Sequence, residues 1–201
     1  MSGWRAGAAA LWLWGVGACT PELPVEEVDA LPLRGVELVV GHEVIRLEAA
    51  AAWVDEGGTG RGEVVAGEVS GTPPLTVSGS RSSWQLRDQV VVFEGEVVAE
   101  RGDLRLTAER LEVRYSDDRV QDAVATGAVR LVQGDREARA DRARLTLSDG
   151  AVVLEGDPQV LEGPNRLSGE RIVLFLDDER LECESCRLEV DGEAVRVGEV
   201  P

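Results

Sequence analysis

The tightest constraint on this chain is a break in its apolar alternation that recurs about every 30 residues. Apolar side chains alternate at Leu104, Leu106 and Ala108, then resume one place out of step at Leu111, Val113 and Tyr115. The same slip occurs at Ala138, Ala140 then Ala143, Leu145, Leu147, and at Leu167, Gly169 then Ile172, Leu174, Leu176. It occurs upstream at Leu75, Val77, Gly79 then Ser82, Trp84, Leu86, and more faintly at Ile45, Leu47, Ala49 then Ala52, Val54. The small pivots Ala49, Gly79, Ala108, Ala140 and Gly169 are separated by 30, 29, 32 and 29 positions. Asp117, Asp149 and Asp178 follow their pivots in step. Alternation with period two means a strand with one buried face, and a one-residue slip that keeps the apolar set inward requires a bulge or sharp bend. A small residue at that point lets the backbones pack closely.

A second kind of strand lies between these, expected to bend at a glycine without a slip. It is read at Val65-x-Gly67-x-Val69, Phe93-x-Gly95-x-Val97, Ala125-x-Gly127-x-Val129 and Leu154-x-Gly156, the glycines recurring at intervals of 28, 32 and 29. Turn residues separate the strands, among them Pro73-Pro74, Arg101-Gly102-Asp103, Gly134-Asp135, Gly163-Pro164-Asn165 and Asp191-Gly192. Beyond the N-terminus no stretch keeps a helical period. The pattern therefore predicts an all-β domain over residues 35–200, a repetitive twisted β-jellyroll of long, bent antiparallel strands.

The N-terminus reads as a processing signal. Arg5 precedes an uncharged run from Ala6 to Ala18 that Pro21, Glu22 and Pro24 stop too early for a spanning helix, which needs about 20 apolar residues. Val16-Gly17-Ala18-Cys19 resembles a lipoprotein lipobox, with Cys19 as the acylated residue. A secretory signal cut near Ala18 and a short membrane anchor are the alternatives, and each sends the rest of the chain across the inner membrane. Residues 19–34, rich in proline and acids, read as the anchored cysteine and an extended tether.

Charge removes several functions. With 38 acidic residues against 21 arginines and no lysine, the net charge of -17 disfavours nucleic acid, which needs clustered cations. One histidine, His42, with no nucleophile, base or metal-ligand spacing around it, predicts a structural role and neither catalysis, cofactor nor metal. Cys183 and Cys186 read as a disulfide or as two half-buried thiols; Ser185 between them falls in the bend slot of the repeat, where the sulfurs can approach.

The strings Phe93-Glu94-Gly95-Glu96-Val97-Val98-Ala99 and Ala125-Thr126-Gly127-Ala128-Val129-Arg130-Leu131 resemble one strand type of the OstA/LptA/LptC family. Leu106–Val113 and Ala138–Leu145 resemble the other, and the likeness runs over residues 36–190, most clearly from 90 to 178. Such a resemblance implies a periplasmic jellyroll that binds lipopolysaccharide and passes it along a protein bridge from the inner to the outer membrane. An anchored single jellyroll behind a tether is LptC-like, whereas the regular central repeats are LptA-like. LptC-type proteins usually carry a transmembrane helix where this chain carries its lipobox, so either membrane could hold the anchor. An envelope scaffold without lipid transfer is the alternative function.

A lipid conduit of this kind would be lined by inward residues. The candidates are Val91, Phe93, Val97, Leu104, Leu106, Leu111, Val113, Val129, Leu131, Leu145, Leu147, Leu154, Leu174 and Leu176, which equally suit a closed core. Arg105, Arg114, Arg130 and Arg144 are candidate head-group contacts or solvated strand faces. Partners expected from the resemblance are the lipid A acyl chains and other jellyrolls docking on the end strands.

Overall fold

The computed structural model describes residues 33–40, 45–55, 58–69, 73–116, 119–146, 150–176, 180–191 and 193–196. The segment read as a signal, Cys19, His42, Leu147 and the three aspartates that follow the pivots lie outside these residues. The elements are β1 (Leu33–Val40), β2 (Ile45–Val54), β3 (Thr59–Val69), β4 (Leu75–Gln85), β5 (Val90–Arg101), β6 (Leu104–Ser116), β7 (Arg119–Gln133) and β8 (Arg136–Thr146). They continue as β9 (Ala151–Glu155), β10 (Gln159–Glu162), β11 (Asn165–Ser168), β12 (Arg171–Phe175), β13 (Leu181–Glu184), β14 (Arg187–Val190) and β15 (Glu193–Arg196). β1 begins two residues inside the segment read as tether.

All of the strands belong to one antiparallel sheet, in which β1 to β8 form a meander, each pairing with its neighbours in sequence. The last three long strands are each split at the bend. β9 and β10 are two halves of one strand, as are β11 with β12 and β13 with β14: β9 pairs with β12 and β12 with β13, while β10 pairs with β11 and β11 with β14. The sheet thus folds over along a seam into two layers, and every long strand crosses from one to the other.

The seam is visible in the register. Pairing skips between Ser78 and Arg81, Glu94 and Val97, Thr107 and Arg110, and Thr126 and Val129. Glu109 alone faces the pair Gly95-Glu96, and Asp141 alone faces Gly127-Ala128, two residues against one as in a bulge. Gly95, Gly127 and Gly156 have φ of 75°, 82° and 77°, each followed by a left-handed residue: Glu96, Ala128 or Asp157 at 49°, 44° or 50°. The second strand type is therefore interrupted as firmly as the first, which the sequence pattern did not suggest. Two left-handed residues in succession turn the strand while returning Phe93 and Val97 to the same inner face.

In β3 the bend falls at Val64, with φ of 48°, and not at Gly67. Gly67 instead provides close approach, because a Cβ there would lie 3.0 Å from Leu47 and 3.0 Å from the ring tip of Phe93. Gly67 pairs with Val77 in one layer and Phe93 with Ser82 in the other, so this approach joins the two layers. At the last bend Ser185 has φ of 55°, and Cys183 and Cys186 on either side of it form a disulfide with Cα atoms 5.9 Å apart.

A single apolar cluster fills the space between the layers, from Ile45 and Leu47 at one end to Ile172 and Leu174 at the other. Val92, Val124 and Val173 are nearly as buried but face outward, where they form no part of that cluster. They lie in one cross-strand row, Val92-Glu112-Val124-Arg144-Val153-Val173, so apolar strand residues here are not all interior ones.

Candidate functional site

The seam and the opposite side of the sandwich differ in chemistry. Along the seam, five of the residues at or opposite the bends are exposed acids: Glu96, Glu109, Asp141, Asp157 and Glu170. Away from the seam, the hairpin ends of the two layers meet in an apolar cleft. Leu75, Arg101 and Leu104 line it from one layer, and Leu145, Thr146, Gly150, Ala151 and Leu176 from the other. Leu145 and Leu176 are half-buried and pack against the core cluster. The Gln133 side-chain amide donates to the Leu176 carbonyl across the same opening, at 3.4 Å. This cleft is the mouth of the interior.

Behind the mouth the candidate liners Val91, Phe93, Val97, Leu104, Leu106, Leu111, Val113, Val129, Leu131, Leu154 and Leu174 are all buried, at no more than 6% exposure. The interior is closed in this conformation. Tyr115 joins the same core, and burial raises its phenol pKa.

The arginines singled out as head-group contacts face outward. Arg105 pairs with Glu100, which stands opposite it on β5. Arg114 binds Glu112 at 2.7 Å, and Arg130 binds Glu137 at 2.6 Å. Arg144 is exposed on the outer valine row. None of the four lines the mouth; Arg101 does, half-buried at the end of β5. The only sequence signal at Arg101 was turn chemistry, which says nothing about which cleft a turn residue will border.

Glu137 has a local task on the outer face. Arg130 and Arg139 stand directly opposite each other in the β7–β8 register, an unfavourable like-charge pair. Glu137 accepts from Arg130 at 2.6 Å and from Arg139 at 2.7 Å, and these hydrogen bonds, the one from Arg130 first, lower its pKa to about 2. A carboxyl whose pKa is depressed on folding adds stability above its unfolded value, and that share is lost as pH falls through the folded one. The window runs from about 4.3, the ordinary glutamate value, down to about 2. The stability difference between the wild type and Glu137→Gln, followed by thermal unfolding, should therefore be largest above the window and shrink within it. A difference unchanged between neutral pH and pH about 2 would show that the carboxylate does not bridge the two arginines.

Among the described residues no group of histidines, cysteines or carboxylates could hold a metal ion. No helix there is long and apolar enough to cross a membrane.

The model of the family described as LptA/(LptD N-terminal domain) LPS transport protein matches residues 76–180, more than half of the chain. The chain belongs to this LptA/LptD N-terminal-domain family. Members of this family are transport proteins, not enzymes. The matched span runs from the second residue of β4 through β12 and takes in residues from both sides of the mouth, Leu75 excepted. Among solved structures the fold resembles LptH, the LptA-homologous periplasmic component of the lipopolysaccharide transport device of Pseudomonas aeruginosa. That likeness has a TM-score of 0.53 at 18% identity and covers 57% of this chain and 84% of LptH. No curated protein matches the chain. Of the LptC-like and LptA-like alternatives, the family model falls on the LptA side.

Proposed function

We propose that this chain is a periplasmic, LptA-like carrier of lipopolysaccharide that takes acyl chains between its two layers through the leucine-lined mouth. The observation that carries this reading is the placement of the apolar cleft described above, directly over the core and opposite the acidic seam. Acyl chains gain about 0.8 kcal/mol for each buried methylene, enough for a few chains to compensate for parting the layers. Arg101 at the mouth is placed to meet a lipid A phosphate, while the seam holds its five acids away from it. End strands β1 and β15 are the sites for docking onto neighbouring jellyrolls of a bridge, and acylation at Cys19 would tether the carrier to a membrane.

Leu145→Arg puts a long cation into the mouth at a half-buried position, where the guanidinium can reach solvent. Loading of the full chain with lipopolysaccharide, measured by co-purification and by displacement of a fluorescent analogue, should be lost with little change in Tm. Arg101→Gln should weaken loading and flatten its salt dependence. A folded wild-type chain that takes up no lipopolysaccharide would assign the jellyroll to a scaffold role instead.

A further inference from the structure

Two polar atoms inside the sandwich have no partner among the described residues. They are Oγ of Ser82 and Nε1 of Trp84, in side chains only 3% and 2% exposed. Both project inward from β4 just beyond its bend, two residues apart on one face. Ser82 stands between Gly62 and Phe93, and Trp84 between Gly60 and Val91. Their surroundings are small or apolar: a Cβ on Gly62 would lie 3.1 Å from Ala49 and 3.3 Å from Ser82 Oγ. A buried hydroxyl or indole N–H with no acceptor is a standing penalty on the folded state, and alanine in place of Ser82 would avoid it at the loss of a single oxygen atom.

We propose that Ser82 and Trp84 form a polar subsite in the lipid-carrying interior, which reads an oxygen atom borne by an acyl chain. The subsite rests on the carrier reading above and specifies the chain class. Indole only donates, and the hydroxyl both donates and accepts, so the matching group is an acceptor such as a chain hydroxyl or an ester carbonyl. A plain alkyl segment leaves both donors unpaired when it enters. A site built to pair a substrate oxygen discriminates against the analogue lacking it.

The test uses the isotope-labelled full chain, with the Trp84 indole N–H resonance assigned by its loss in Trp84→Phe. The probes are methyl β-hydroxymyristate and methyl myristate, which differ only in the chain hydroxyl. Either probe that reaches the subsite moves that resonance downfield: the hydroxy ester alone if the hydroxyl is read, both if the carbonyl is. Whichever probe moves it should bind about threefold to tenfold more weakly to Ser82→Ala, the size of one net hydrogen bond. Ser82→Ala should also raise the Tm of the lipid-free protein by about 2–4 °C, since it removes an orphaned polar atom. A serine with a merely structural role would lower the Tm when lost. Binding of both esters with the indole resonance unmoved and affinity unchanged in Ser82→Ala overturns the subsite and leaves the carrier reading standing. Binding of neither ester by a chain that still loads lipopolysaccharide also overturns the subsite, and only a chain that loads neither ester nor lipopolysaccharide loses the carrier reading with it.

Discussion

Phe93→Ala should destabilise the protein by about 3–5 kcal/mol, the range for deleting a fully buried phenyl ring. The ring is completely buried. It projects from one layer until its tip lies 3.0 Å from the Cβ position at Gly67 in the other, so it spans the gap between the layers. Leu111 flanks it on the neighbouring strand, and Gly67 has no side chain with which to fill the space the ring would vacate. Domains are held by about 5–15 kcal/mol in total, so the variant would sit near the edge of folding. Urea unfolding should show the midpoint falling at an unchanged m value. A loss under about 1 kcal/mol would mean that the layers close over the gap, and that the spacing between them is not set by this ring.

Gly60→Ala should have the second-largest effect, although it adds a single methyl group. The added Cβ would lie 2.2 Å from Cε2 and 2.3 Å from Cζ2 of Trp84, a ring only 2% exposed. An indole embedded between β3 and β5 cannot move aside as the end of a flexible chain would, so the layer must shift or the ring must leave its rotamer. Overpacking of this kind costs about 1–3 kcal/mol. Tryptophan near-ultraviolet dichroism should change along with the unfolding midpoint. An unchanged spectrum with unchanged stability would place the indole away from Gly60.

The bends illustrate how far local sequence reaches. The pivots Ala49, Gly79, Ala108, Ala140 and Gly169 were legible because a slip in parity leaves a trace in residue types. The second bend series was only half legible. Gly95, Gly127 and Gly156 mark it, but their partners Glu96, Ala128 and Asp157 carry no mark, and at β3 the bend falls on Val64, a β-branched residue that gives no hint of φ at 48°. Gly67 drew attention for another reason, its closeness to Phe93, which depends on the opposite layer and so on the tertiary fold.

The interior was read well as a set of apolar residues, yet alternation could not show whether it was shut. Leu145 and Leu176 look like Leu106 and Leu131 in sequence, and only the meeting of hairpin ends separates mouth from core. Ser82 and Trp84 were placed on the inward face by their slot in the repeat, but their missing partners are visible only once every neighbour is known. The outward arginines follow the same logic. Glu100 and Glu137 claim Arg105 and Arg130 across strands, through a register that a single strand does not encode, whereas Glu112 holds Arg114 from two residues away on the same strand.

The strand order has a kinetic consequence. Because the long strands, with β9–β10, β11–β12 and β13–β14 each counted as one, follow one another in sequence order, each new one closes only a short hairpin onto the edge of what has already formed. Loop-closure entropy grows slowly with length, and short closures favour fast formation over the distant pairings that slow most β-sandwiches. Assembly can then start at any central hairpin, such as β6–β7, and spread outward in both directions without threading the chain. The same locality makes the outermost hairpins the first to fray, so the length of the jellyroll can grow or shrink by whole hairpins while its middle stays intact.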